Sequence, residues 1–102
     1  MECSLIGIYF LYMANENTTY KLLKNNIVSA SYDYVNECAN GIIECDFDFE
    51  NNNKFKAGVL ENYGYFNNLI SPIDNKDLSD CLELNAVRDN GVVVIELEDK
   101  CY

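Results

Sequence analysis

The chain has no histidine and no tryptophan, one proline, five glycines and only seven basic residues in 102. Without histidine, Ser–His and Cys–His nucleophile activation are excluded, along with the commonest zinc and copper ligand. The glycines are scattered and build no phosphate-cradling loop. So few Lys and Arg leave no basic stripe for nucleic acid. Long apolar runs are also missing. Ser4 to Ala14 is too short to span a bilayer. Glu2 stands where a signal peptide carries basic residues, and Tyr12 spoils a small-residue cleavage site. Cys3 to Met13 is apolar on both alternating faces and is expected to be a buried strand.

What is present is apolar surface and acid. The apolar fraction is 49%, with eight Tyr and five Phe, enough for one packed core and one domain over residues 1–102. Seventeen acids against seven bases give a net charge of −10. The acids are clustered: residues 25–53 hold six and no base, and residues 77–99 hold seven against Arg88 alone. Charge of this kind repels nucleic acid and anionic lipid and speeds association with basic proteins. The plainer reading is that it keeps the chain in solution. Fifteen Asn favour turns and caps.

Five cysteines, Cys3, Cys38, Cys45, Cys81 and Cys101, form no C-x-x-C pair and leave one over. Their spacings suit neither a metal knuckle nor a secreted disulfide framework, so free thiols in a reducing cytoplasm are expected. No base or cation is placed to activate any of them as a nucleophile.

Along the chain, Thr18 to Lys24 reads as a short helix capped by Asn17 or as a returning strand. Residues 27–35 read as a strand, with a helix through Ala39 stopped by Asn40-Gly41 as the rival. Ile43, Cys45, Phe47 and Phe49 alternate with Glu44, Asp46, Asp48 and Glu50, the pattern of a half-buried strand with one acidic face. Asn51 to Asn53 turn it back through Lys54 to Glu61, setting Glu50 opposite Lys54 and Asp48 opposite Lys56. After Pro72, Asp74 caps an expected helix with Leu78, Cys81 and Leu82 inward and Asp77, Asp80 and Glu83 outward. Asp89-Asn90-Gly91 turns the chain into a strand, Val92 to Leu97, open to strand addition if it lies at an edge. The expected fold is α+β, an antiparallel sheet of four to five strands with one or two helices packed on one face.

The acidic strand fits no EF-hand, lacking the Gly and the terminal Glu of that loop. As an acid/base or divalent-ion pair, Asp46 and Asp48 have nothing nearby to orient a substrate. No catalytic residue, metal or cofactor is therefore expected. A small acidic domain of this size is similar in type to the immunity proteins that neutralise bacterial toxins such as nucleases, which are basic because they bind phosphate. That similarity implies an acidic docking face of Glu44, Asp46, Asp48 and Glu50 with Asp77, Asp80 and Glu83, anchored by Tyr63, Tyr65 and Phe66. It implies a basic protein partner in the cytoplasm, with no nucleic acid or membrane bound directly. The alternatives are a phage-type nucleic-acid mimic acting against a defence protein, and a small carboxylate metal-binding or enzymatic domain.

Overall fold

A computed structural model describes residues 4–45, 47–48 and 53–102. The elements run α1 (Ser4–Ala39), β1 (Lys54–Lys56), α2 (Ala57–Asn62), β2 (Leu82–Asp89) and β3 (Val92–Asp99). The fold is α+β, with three antiparallel strands in the order β1-β2-β3 among the described residues, rather than four or five. Among those residues no helix is long and apolar enough to cross a membrane.

The sheet is built around one hairpin. Asn90 and Gly91 take positive φ values of 54° and 81°, as a two-residue turn of the mirror-image type requires. Eight residue pairs follow, from Asp89 with Val92 to Leu82 with Asp99. Side chains alternate along a strand, so Leu82, Leu84 and Ala86 point to one face, where all three are fully buried. Ile95 and Leu97 share that face, and β1 adds Phe55 opposite Leu84.

Helix α1 covers this inner face. Tyr20, Ile27 and Tyr34 recur every seven residues, and Ala30, Ser31 and Val35 fill in between, a stripe that one side of a helix presents. No proline interrupts the 36 residues. The helix ends where Gly41 enters the left-handed region (φ 73°): its N–H reaches Cys38 O and that of Ile42 reaches Glu37 O. The helix through Ala39 with its Asn40-Gly41 stop, the rival reading, is what forms, whereas the strands expected over Cys3–Met13 and residues 27–35 are overturned, the chain being helical from Ser4. An apolar run of this length has no period that separates a buried strand from a helix.

Two further expectations are overturned. Residues 43–45, 47 and 48 form no regular strand, and β1 pairs with β2 instead: Lys54 faces Asn85 and Lys56 faces Glu83. Glu50, and with it the expected Glu50–Lys54 pair, lies outside the described residues. The helix expected after Pro72 is a loop. Asp74 accepts from Lys76 N–H and Asp77 from Ser79 N–H, each closing a local turn and not a helix cap. Leu82, Leu84 and Ala86 then alternate as a strand.

The thiol expectation also fails for four of the five cysteines, while Cys3 lies outside the described residues. Cys38 bonds to Cys45, and Cys81 to Cys101. The register that pairs Leu82 with Asp99 brings the residues just beyond those strand ends together, and Lys100 N–H continues the ladder to Cys81 O. Asp99 fastens α1 to the same corner. It accepts from Tyr20 Oη at 2.9 Å, Lys24 Nζ at 3.3 Å and the Cys101 N–H at 2.9 Å. Burial alone would raise its pKa, but these three donors outweigh it and hold the carboxyl below the usual range.

Sequence separations of 7 and 20 set the value of each disulfide through the loop it closes. Cys38→Ser should cost roughly 2 kcal/mol and Cys81→Ser roughly 3 kcal/mol by the chain-entropy model, read as shifts in the urea midpoint of oxidised protein. Equal costs would show that loop entropy is not what the bonds contribute. Asp99→Asn should cost about 1–3 kcal/mol for its lost charged hydrogen bonds. Because the folded pKa is depressed, the stability Asp99 lends is full above about pH 4 and is lost as pH falls through the folded value. Urea melts of the two proteins should therefore converge in acid, and a constant gap would assign the loss to packing.

Candidate functional site

The two residue classes expected to mark a docking face, acids and aromatics, come together at the C-terminal end of α1. Tyr34, 1% exposed, is the hub. Its ring centroid lies 5.0 Å from Phe55, 5.4 Å from Tyr63, 5.7 Å from Tyr65 and 6.5 Å from Phe47. Phe47 and Phe55 meet edge-on at 6.0 Å. Such tilted and edge-to-face pairs add to the stabilisation from burial alone.

Three local devices aim these rings. The Cys38–Cys45 bond ties the segment carrying Glu44 and Phe47 to the last turn of α1. Strand pairing turns Phe55 inward opposite Leu84. The third device is the end of α2, where Gly64 takes φ 83° and donates to Glu61 O while Tyr65 N–H donates to Leu60 O. Only a residue free to adopt that φ closes the helix so tightly, and the closure delivers Tyr63 and Tyr65 to either side of Gly64.

The Tyr65 hydroxyl donates to Glu37. That bond, with burial and the nearby charges of Glu37 and Asp33, pushes the phenol up to about 12. Tyr65 is thereby committed to holding α1, and Phe66 is half-buried against the core. Tyr63 differs: it is 44% exposed while its inner edge rests on Tyr34. Glu44, Phe47 and Tyr63 line one concave surface together with Ile43 and the Cys38–Cys45 bond. A second hollow, of about 380 Å³, continues from Phe47 and Tyr63 to Phe55, Val59 and Lys54.

The expected face is thus divided. Glu44 and Tyr63 are brought together, with exposed Asp48 next to Phe47 in the chain. Asp46 and Glu50 lie outside the described residues. Asp77 and Asp80 are exposed on the loop before β2, and hydrogen bonds from the Ser79 N–H and hydroxyl hold the Asp77 carboxyl low. Glu83 lies on the outer face of the sheet, 2.9 Å from Lys100, whose ammonium lowers its pKa. Phe47 and Tyr34 were not among the expected anchors. Tyr34 is legible as one of the seven-residue series in α1, whereas Phe47 is disguised by the alternating run around it.

Among the described residues no group of three or more Cys, Asp or Glu could hold a metal ion. Compared with known families, curated proteins and solved structures, the chain matches none.

The Tyr65 phenol should titrate well above the ordinary value of about 10, and Glu37→Gln should return it toward that value. A tyrosine ring-carbon NMR titration of both proteins reads this directly. A raised folded pKa also means that the stability from this bond is full below about pH 10 and is lost as pH rises through the folded value. An unshifted Tyr65 in the native protein would place its hydroxyl elsewhere.

Proposed function

We propose that this chain is a non-catalytic binding domain that captures and inhibits a basic protein, the work done by immunity proteins that neutralise toxins. The observation that carries this reading is the shared concave surface of Glu44, Phe47 and Tyr63. An Arg or Lys side chain entering it would meet a ring face and a carboxylate together. A cation over an aromatic ring contributes about 0.5–2 kcal/mol, more as water is excluded. The rings are held by Tyr34 and the carboxylate by the Cys38–Cys45 bond, so little ordering is left for the binding step. The net charge of −10 adds long-range attraction to the same class of partner. A basic nuclease toxin fits that class.

The disulfides bear on where the encounter happens. Bonds of this kind persist in oxidising surroundings and are rare in a reducing cytoplasm. They support an extracytoplasmic site of action over the cytoplasmic one expected from the sequence. They also support a dependence of binding on redox state, since reduction of Cys38–Cys45 releases the segment that carries Glu44 and Phe47.

Titration of the oxidised protein with an arginine-rich peptide at low salt tests the reading. Ring resonances of Tyr63 and Phe47 and the Glu44 amide should shift together. Tyr63→Ala should weaken binding about 2- to 30-fold, which is the cation–π range converted at about 1.4 kcal/mol per tenfold. Glu44→Gln should weaken it and reduce its salt dependence. Shifts spread over all acidic surfaces alike, with no effect of Tyr63→Ala, would reduce the interaction to net charge and remove the proposed site.

A further inference from the structure

The sheet has two faces, and the helices cover one of them. Residues that alternate with Leu82, Leu84 and Ala86 point the other way. On that outer face the register sets Lys56, Glu83 and Glu98 in one row, Lys54, Asn85 and Glu96 in the next, and Val87 beside Val94 in a third. Lys54, Lys56, Glu96 and Glu98 are exposed. A depression of about 250 Å³ among Lys54, Glu83, Asn85, Glu96 and Glu98 is walled by the three strands alone.

Two features set this face apart from the rest of the molecule. On that face Lys54, Lys56 and Lys100 stand against Glu83, Asp89, Glu96 and Glu98, so it is close to charge-balanced on a chain whose net charge is −10. The edge strands differ in sign: β1 presents Lys54 and Lys56, β3 presents Glu96 and Glu98, and Lys100, just past β3, is paired with Glu83 of the central strand. At the centre, Asn85 holds its Oδ1 away from water with no hydrogen-bond partner, an unmet group in an otherwise polar surface.

We propose that this face pairs with the same face of a second copy, about a two-fold axis parallel to the strands. That axis lays β1 of each copy over β3 of the other while keeping each row at its own level. Lys56 then faces the partner copy's Glu98 and Lys54 its Glu96, each contact made twice, as a two-fold interface requires. Glu83 and Asn85 each meet their own copy at the axis: each Glu83 stays paired with Lys100 of its own chain at 2.9 Å, and rotation about the soft terminal torsion of Asn85 presents one carboxamide to the other. Val87 meets Val87 one row on. Stacked sheets lie about 10 Å apart, a gap that Lys and Glu side chains reaching from both sides can bridge. A two-fold axis across the strands would set lysine on lysine, so only one symmetric arrangement is complementary.

The charge pattern selects this occupant over others. A basic protein gains no steering from a balanced face, and the glutamates of β3 repel nucleic acid. Addition of a strand at the β3 edge is opposed separately, because Tyr32 Oη already accepts the Ile95 N–H at 3.1 Å and Glu96 and Glu98 guard the edge. The dimer leaves the Tyr34 end of the molecule open, so it does not depend on the function proposed above.

Sedimentation of the full, oxidised chain tests the pairing. At about 50 mM salt it should associate to a dimer, weakening at least about tenfold near 500 mM, where the screening length falls to about 4–5 Å. Lys54→Glu with Lys56→Glu should abolish the dimer, as should Glu96→Lys with Glu98→Lys in a separate protein. Mixing the two variants should restore a one-to-one heterodimer, since each then offers what the other lacks. Both remain net acidic, so total charge cannot explain that attraction, and circular dichroism confirms that each is folded. A wild-type chain that stays monomeric at low salt overturns the proposal, as do folded variants that dimerise unaided or fail to dimerise when mixed.

Discussion

The register of the β2–β3 hairpin is the constraint on which the rest of the structure depends. Shifting it by one residue would turn Leu82, Leu84 and Ala86 outward and Glu83, Asn85 and Val87 into the core. Asn90 and Gly91 prevent that by fixing the turn, and eight consecutive pairs carry the setting to the far end. There it determines three separate things. Asp99 arrives beneath Tyr20 and Lys24 to hold the helix, Cys101 arrives beside Cys81, and Lys100 arrives beside Glu83. The inner face it creates is what aligns Tyr20, Ile27 and Tyr34 along one side of α1.

Two regions of α1, one at Tyr20 midway along it and one at Tyr34 toward its C-terminal end, are then secured by different means. At Tyr20 the chain terminus folds back, with the Tyr102 ring edge-on to Tyr20 at 5.3 Å and its hydroxyl within 2.6 Å of Ser71 Oγ and Asp74 Oδ1. Lys76 stands over the Tyr102 ring at 4.7 Å and donates to Cys101 O. This region is tied by charge, hydrogen bonds and a disulfide spanning the sheet. At the Tyr34 end the described ties are aromatic packing, a short disulfide loop and the Tyr65–Glu37 hydrogen bond. A surface meant to receive a partner is better placed at the second end, where a ring such as Tyr63 can stay half-exposed without leaving a carboxylate or ammonium unpaired.

The sequence was most legible where local chemistry dictated a single conformation. Asn90-Gly91 and the β-branched run after it could be read from a few residues, because positive φ and strand propensity act locally, and the Asn40-Gly41 stop was legible as a rival to the strand expected before it. The first forty residues were not legible in the same way, since apolar residues on every face of 4–14 suit a buried strand and a helix alike. The stretch 43–61 misled for a different reason. Its perfect alternation described a hairpin that local preference allows, but Phe55 gains more opposite Leu84 on the inner face, and Phe47 gains more against Tyr34 and Phe55. Those partners lie far away in the sequence. Cys81 and Cys101 failed likewise: only the register brings them together. Of the expected docking residues, Glu44 and Tyr63 were found together because a disulfide and a glycine-closed helix end converge there, and neither device has a signature in the spacing of acids.

Acidity therefore describes this chain less well than the placement of its few bases. Three of the seven are gathered on the outer sheet face, and Lys24 and Lys76 are spent on Tyr20, Asp99, Cys101 and Tyr102 at the terminal corner. Every lysine so placed offsets carboxylates nearby and leaves the other surfaces more negative than an even distribution would. The Tyr34 end gains from that arithmetic, with Asp33, Glu44, Asp48 and Glu61 exposed on the elements that build it and Lys54 at its margin. Under the proposed function a basic partner would be drawn to that end of the molecule, while the nearly balanced sheet face would do little to attract or repel it. Two surfaces with different electrostatic rules can then act on one small domain without competing for the same ligand.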